Sequence, residues 1–213
     1  MTIWDNIYKN YQKGGEAWAT LDNNDVDEEF KDFIKNNTFT AKNVLDIGCG
    51  TGKYLVFLKK LGFATNGIDS SDIAVQMTCA NLNDESDIKV ANMFEYKIDH
   101  DKYDLIISIA TIHHGLKAEV EKLINLIYES LLNHGKIFIT LPSVSGRKRW
   151  DTFKNDKEVG PGTFIPLAGP EKGLPHSFFD EEEVKKLFSK FQNFKIDLDK
   201  KDRWIISAKK SSM

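Results

Sequence analysis

From residue 43 to residue 142, short apolar runs alternate with stretches whose apolar residues recur at helical spacing. No other feature of the chain narrows its possible folds as much. "NVLDIG" (43–48), "FATNGID" (63–69), "IKVANMF" (88–94), "YDLIISIAT" (103–111) and "KIFITLP" (136–142) read as strands. Between them, "KYLVFLKKLG" spaces Tyr54, Leu55, Leu58 and Leu61 along a helix that Gly62 ends. "SDIAVQMTCANL" places Ile73, Met77 and Ala80 on one face, and "KAEVEKLINLIYESLLN" sets Val120, Leu123, Ile124, Ile127 and Leu131 on one stripe. Strands alternating with helices imply right-handed crossovers and a parallel sheet covered on both sides. The almost uniformly apolar 103–111 suits a central strand of that sheet. Further on, Asp180 with Glu183 three residues later marks a helix start, and "FKIDLD" and "RWIISAKK" flank a polar turn as an antiparallel hairpin does.

The expected architecture is α/β: one domain over residues 1–213, built on a doubly wound, mostly parallel, seven-stranded Rossmann-like sheet with a C-terminal antiparallel hairpin. Two segments stand outside the alternation. Residues 1–36 read as a helical cap. Residues 143–179 hold four of the chain's five prolines, and so long a connection inside a compact domain reads as a substrate-side loop or lid.

Composition excludes several classes of function. An apolar share of 41% with 29% charged residues is that of a water-soluble globular chain, and a net charge of −3 gives no electrostatic footprint for nucleic acid or an anionic membrane. Cys49 and Cys79 sit in no CxxC or Cys/His cluster, so neither a disulfide framework nor a metal site is expected. No run approaches the length of a membrane span, and the polar N-terminus lacks an apolar leader core. The expected localisation is cytoplasmic, with no membrane partner.

The turn "DIGCGTG" carries the chemistry. A dinucleotide fingerprint starting at Gly48 requires glycine at 53, where Lys53 stands, and no GK[ST] of a P-loop follows. Asp46, before the first glycine, would repel a pyrophosphate but suits a ligand bearing an ammonium group. Asp69, at the end of the second strand, is placed to accept both ribose hydroxyls of an adenosine.

Asp46, Gly48, Gly50 and Gly52 resemble motif I of the class I S-adenosylmethionine-dependent methyltransferases. That resemblance implies a methyltransferase binding S-adenosyl-L-methionine and releasing S-adenosyl-L-homocysteine. It places the cofactor against Asp46, Gly48, Cys49, Gly50, Gly52, Asp69, Ser70, Asn92, Met93 and Ala110. Asn92 departs from the acid expected after the third strand, although its carbonyl can accept the same hydrogen bond from an adenine amino group.

The same resemblance puts residues just past the fourth strand, in "SIATIHHG", beside the acceptor. His113 and His114 are therefore the candidate catalytic groups, able to deprotonate or orient it. Tyr11 and Trp18 flank a Gly-Gly break and are the candidate aromatic cover, whereas Trp4 reads as packing. Arg147, Lys148 and Arg149 offer a grip for an anionic group on the substrate.

A small-molecule acceptor is the expected partner. An RNA-modifying enzyme is the alternative, because "SIATIHH" is similar to a stretch of the tRNA wobble-uridine methyltransferases; the negative net charge weighs against it. A non-catalytic cofactor-binding module is a third reading.

Overall fold

The protein is described by a computed structural model covering residues 1–15, 26–83, 86–149, 153 and 155–211. Two helices, α1 (Ile3–Tyr11) and α2 (Glu28–Lys35), precede the sheet. There follow β1 (Asn43–Ile47), α3 (Lys53–Lys60), β2 (Ala64–Asp69), α4 (Asp72–Asn81), β3 (Asp87–Val90), β4 (Tyr103–Ser108), α5 (Lys117–Ser130) and β5 (Leu131–Pro142). The remainder is α6 (Val144–Arg147), β6 (Asp156–Gly160), β7 (Thr163–Pro166), β8 (His176–Ser177), α7 (Glu181–Leu187), β9 (Gln192–Leu198) and β10 (Arg203–Lys209).

The main sheet runs in the order β3-β2-β1-β4-β5-β10-β9. Its first five strands are parallel, and β10 is antiparallel to both β5 and β9. Strand order reverses beside β1, with Asp46 level with Gly67 of β2 on one side and Ile107 of β4 on the other. Ligands of open α/β sheets lie outside the strand carboxyl ends at this switch point.

Two apolar layers sandwich the sheet. Leu45, Ile106, Ile137 and Ile139 face Val120, Leu123 and Ile127 of α5. On the other face, Val44, Leu105, Ile107 and Phe138 meet Leu55 and Leu58 of α3 and Phe30 of α2. Alternate residues of β1 and β4 thus feed opposite layers, which explains the uninterrupted apolar run in β4. Fully buried Phe30 makes edge contacts with Tyr54, Phe57 and Phe138, anchoring α2 to the sheet.

Three boundaries differ from the sequence reading. β3 ends at Val90 because the Asn92 side chain accepts the Phe94 N–H and folds the chain into a turn. β4 stops at Ser108, ahead of Ala110, whose φ of +53° takes the backbone into the left-handed region. α5 ends at Ser130, whose hydroxyl donates back to the Leu126 carbonyl, and β5 begins directly at Leu131.

The largest departure is in residues 143–179, which are not a plain loop. They contain α6 and an antiparallel three-stranded sheet, β6-β7-β8. Backbone bonds from Ser177 N to His113 O and from Phe179 N to Pro142 O fasten this small sheet over the ends of β4 and β5. No helix among the described residues is long and apolar enough to cross a membrane.

Candidate active site

A cleft of about 800 Å³ lies at the carboxyl ends of β1, β2 and β4, within the size range of small-molecule sites. Its floor is the turn after β1. Gly48 and Gly50 have φ of +80° and +57°, a region closed to most side chains. A Cβ at Gly48 would run into the side chain of Thr111, and one at Gly50 would come within 2.8 Å of the Tyr8 hydroxyl. Backbone packing this close is what the alternating glycines make possible.

Asp69 braces the turn. Its carboxylate accepts the Gly50 N–H at 3.0 Å and the Ser71 N–H at 2.9 Å, and still faces the cleft. Burial raises its pKa, against the pull of those N–H groups. Asp46, 2% exposed, is pushed up to about 8 by burial and then by the charge of Asp69. Two neighbouring buried acids make a region that favours a positively charged ligand.

The N-terminal helix closes over this floor. Asp5, buried in α1, forms a capping box with Thr2 and accepts the Ser71 hydroxyl at 2.7 Å. Ser71 in turn N-caps α4. One side chain therefore ties the N-terminal cover to the turn after β2.

Of the residues expected to hold a cofactor, Gly48, Gly50, Asp69, Ser70, Asn92 and Met93 line the cleft, as does Ala110. Asp46, Cys49 and Gly52 are not among its lining residues; Asp46 and Cys49 are buried, and Gly52 caps α3. The aromatic cover differs from expectation. Tyr11 does not line the cleft, whereas Trp4 and Tyr8 do. Tyr11 is the last residue of α1, about 10 Å along the axis from Trp4. Trp18 lies outside the described residues. Two of the three basic residues are paired elsewhere. Arg147 Nη2 donates to both carboxylate oxygens of Asp156, at 2.8 and 3.0 Å, and Arg149 pairs with Asp202 at 2.6 Å.

A second cavity of about 240 Å³ adjoins the first and shares Ala110, His114, Lys201 and Arg203 with it. Three histidines border it. His113 and His114 follow β4 with ring centroids 4.1 Å apart, and His176 of β8 stands 5.6 and 4.5 Å from them. Trp4 meets His114 edge-on at 4.9 Å, and Phe153 meets His176 at 4.9 Å. Burial, helped by the neighbouring histidines and Arg203, holds His113 neutral by pushing its pKa well down. The pKa of His114 is likewise far below the ordinary value through burial and His176, with the carbonyls of Pro175 and Ala110 opposing.

His176, Glu171, Arg203, Trp4 and Tyr8 were not among the sequence candidates. No local spacing links His176 to His113, 63 residues earlier.

A strand order of this kind, with an acid-flanked glycine turn at its switch point, defines the fold of S-adenosylmethionine-dependent methyltransferases. The signature of a methyltransferase domain family matches residues 22–197, and the chain belongs to that family. An uncharacterized methyltransferase of Staphylococcus carnosus (strain TM300) is 28% identical over 137 residues, which are 62% of this chain and 65% of that protein. The ribosomal protein arginine N-methyltransferase rmt3 of Schizosaccharomyces pombe (strain 972 / ATCC 24843) is 32% identical over 113 residues, 49% of this chain and 21% of that protein. The chain thus spans less than two thirds of either relative. The crystal structure of an S-adenosylmethionine-dependent methyltransferase from Clostridium acetobutylicum ATCC 824 superposes with a TM-score of 0.68 at 16% identity, covering 95% of this chain and 99% of that one.

Proposed function

We propose that the larger cleft binds S-adenosylmethionine and that the adjoining cavity holds a small-molecule methyl acceptor. The observation that carries this reading is the pair of joined cavities, one floored by the buried acids and the glycine turn, the other walled by histidines. The chain's residues fit the cofactor. Asp69 is turned into the cleft, and a carboxylate has about four lone-pair sites, so acceptor capacity is left for ribose hydroxyls. Gly48 and Gly50 hold the left-handed backbone of the cleft floor and let Thr111 and Tyr8 pack against it.

The cofactor supplies an activated methyl group. The protein's part is to bind, orient and exclude water. Trp4 and Tyr8 cover the cleft from α1, and the β6-β7-β8 sheet encloses the acceptor side. His114 borders both cavities, and burial keeps both neighbouring histidines unprotonated beside the acceptor space. A cavity of about 240 Å³ suits a small molecule or one protruding group. Arg147 and Arg149 already lie in ion pairs, which weakens the case for a phosphate grip.

Calorimetric titration with S-adenosylhomocysteine tests the cofactor assignment. Asp69→Ala is expected to weaken binding about 10- to 100-fold, the worth of hydrogen bonds to a charged group. Equal affinity in wild type and variant, or no binding at high micromolar ligand, would remove this assignment.

A further inference from the structure

Four buried side-chain polar atoms among the described residues have no hydrogen-bond partner, and three of them meet in one place: His113 Nδ1, His114 Nδ1 and Glu171 Oε1. Orphaned acceptors are rare in protein interiors and call for an explanation. Here they cluster, and they surround a third histidine. His113, His114 and His176 offer one nitrogen each, all within 4.8 Å of one another.

We propose that His113, His114 and His176 hold a divalent transition-metal ion of the zinc type, with Glu171 as an adjoining ligand, at the acceptor end of the cleft. Imidazole nitrogens with carboxylate oxygen are the ligand set that zinc takes in open, reactive sites.

The second set of contacts matches. His176 Nδ1 lies 3.0 Å from the Leu174 carbonyl, so its N–H points there and its Nε2 is left with a lone pair. That Nε2 stands 3.1 Å from Glu171 Oε2. Two donors sharing one ion at about 2.1 Å stand about 3.0–3.4 Å apart, so this pair already has ligand spacing. Closing His113 and His114 onto the same ion needs nitrogen shifts of about 1 Å. Buried histidines kept neutral are in the form that ligates a metal.

The backbone holds the three residues firmly. Ser177 N–H donates to the His113 carbonyl at 2.9 Å, pinning β8 to the turn after β4. Phe153 and Trp4 wall the cluster with apolar rings, which limits competing water.

An ion at this point would serve the acceptor, and that extension rests on the proposed reading of the two cavities. A thiol or hydroxyl of the acceptor bound at the ion's open position gives up its proton more easily, because the ion's charge stabilises the anion formed. The acceptor class is therefore a small thiol or hydroxyl compound.

The test uses untagged full-length protein, stripped with a chelator and titrated with zinc by calorimetry and with cobalt by visible absorption. One ion per chain and the d–d absorption of low-symmetry, four- or five-coordinate cobalt are expected. His176→Ala should weaken metal binding about 100-fold. Its affinity for S-adenosylhomocysteine should stay unchanged, since His176 does not line the larger cleft. Glu171→Gln should cost about tenfold. The proposal is overturned if the wild type takes up neither ion stoichiometrically, leaving an ordinary His176–Glu171 ion pair. It is equally overturned if His176→Ala binds both ions as the wild type does. Should His176→Ala fail to fold, His113→Gln provides the same comparison. Metal uptake without S-adenosylhomocysteine binding would sink the donor-site reading and leave the metal site standing.

Discussion

The two ends of the cleft are built in different ways. The end proposed for the donor is local: Asp46, the glycine turn, Asp69 and Ser70 come from 25 consecutive residues spanning one strand–helix–strand unit. The end proposed for the acceptor is assembled from afar, with His113 and His114 after β4, Phe153 and His176 from residues 143–179, and Arg203 from the start of β10. A local site can be held by backbone geometry. A dispersed one depends on every packed element between its members.

Substitutions that act on one end should leave the other alone, except where the two touch. The largest effect is expected where they do. Gly48→Ala places a methyl group into Thr111 and forces a left-handed backbone on alanine, so S-adenosylhomocysteine binding should fall below detection. Thr111→Ala in the same chain removes the clash, leaving about 1–2 kcal/mol of backbone cost, and should restore weak binding. If the double variant binds no better than Gly48→Ala, the two ends are not in contact through this pair.

Next in size is a pH effect confined to the donor end. The folded pKa of Asp46, about 8, is far above its ordinary value, so the folded protein binds the extra proton between about pH 4 and 8. This group's contribution to stability is complete below about pH 4 and is lost as pH rises through 8. Asp46→Asn should therefore melt higher than wild type at pH 8.5, with a gap that shrinks towards pH 5. A cationic donor favours the ionised acid, so binding near pH 7 should release a proton, read as buffer-dependent heat in calorimetry. Asp46→Asn should abolish that dependence; its persistence would locate the proton elsewhere.

The smallest effect belongs to the acceptor side. Arg147→Ala breaks the ion pair with Asp156 and uncovers the Phe164 ring, on which the guanidinium sits at 3.5 Å. A loss of about 1.5–3 kcal/mol in denaturant unfolding is expected, with donor affinity unchanged. Weakened S-adenosylhomocysteine binding in this variant would show that the small sheet also supports the donor end.

Much of the fold was legible in the residues. The 3.6 and 2.0 periodicities, Gly62 as a stop, Asp180 and Glu183 as a capping box and the closing hairpin all correspond to elements that form. Each is a local preference that the tertiary fold happens to reinforce. The secondary structure within residues 143–179 was not legible because its strands are two to five residues long, and the prolines and glycines between them look like loop punctuation. That Trp4 rather than Tyr11 lines the cleft was not legible either, because helical spacing gives a face but not what that face meets.

The sequence by itself determined the strands and helices of the sheet, the glycine turn and its flanking acids, since these rest on local periodicity and on which residues tolerate a left-handed backbone. Only the tertiary structure decided which aromatics cover the cleft, that the arginines are occupied, and that a histidine from β8 joins the two after β4. Those are long-range juxtapositions, set by how the small sheet docks across β4 and β5, and no periodicity or short motif records them.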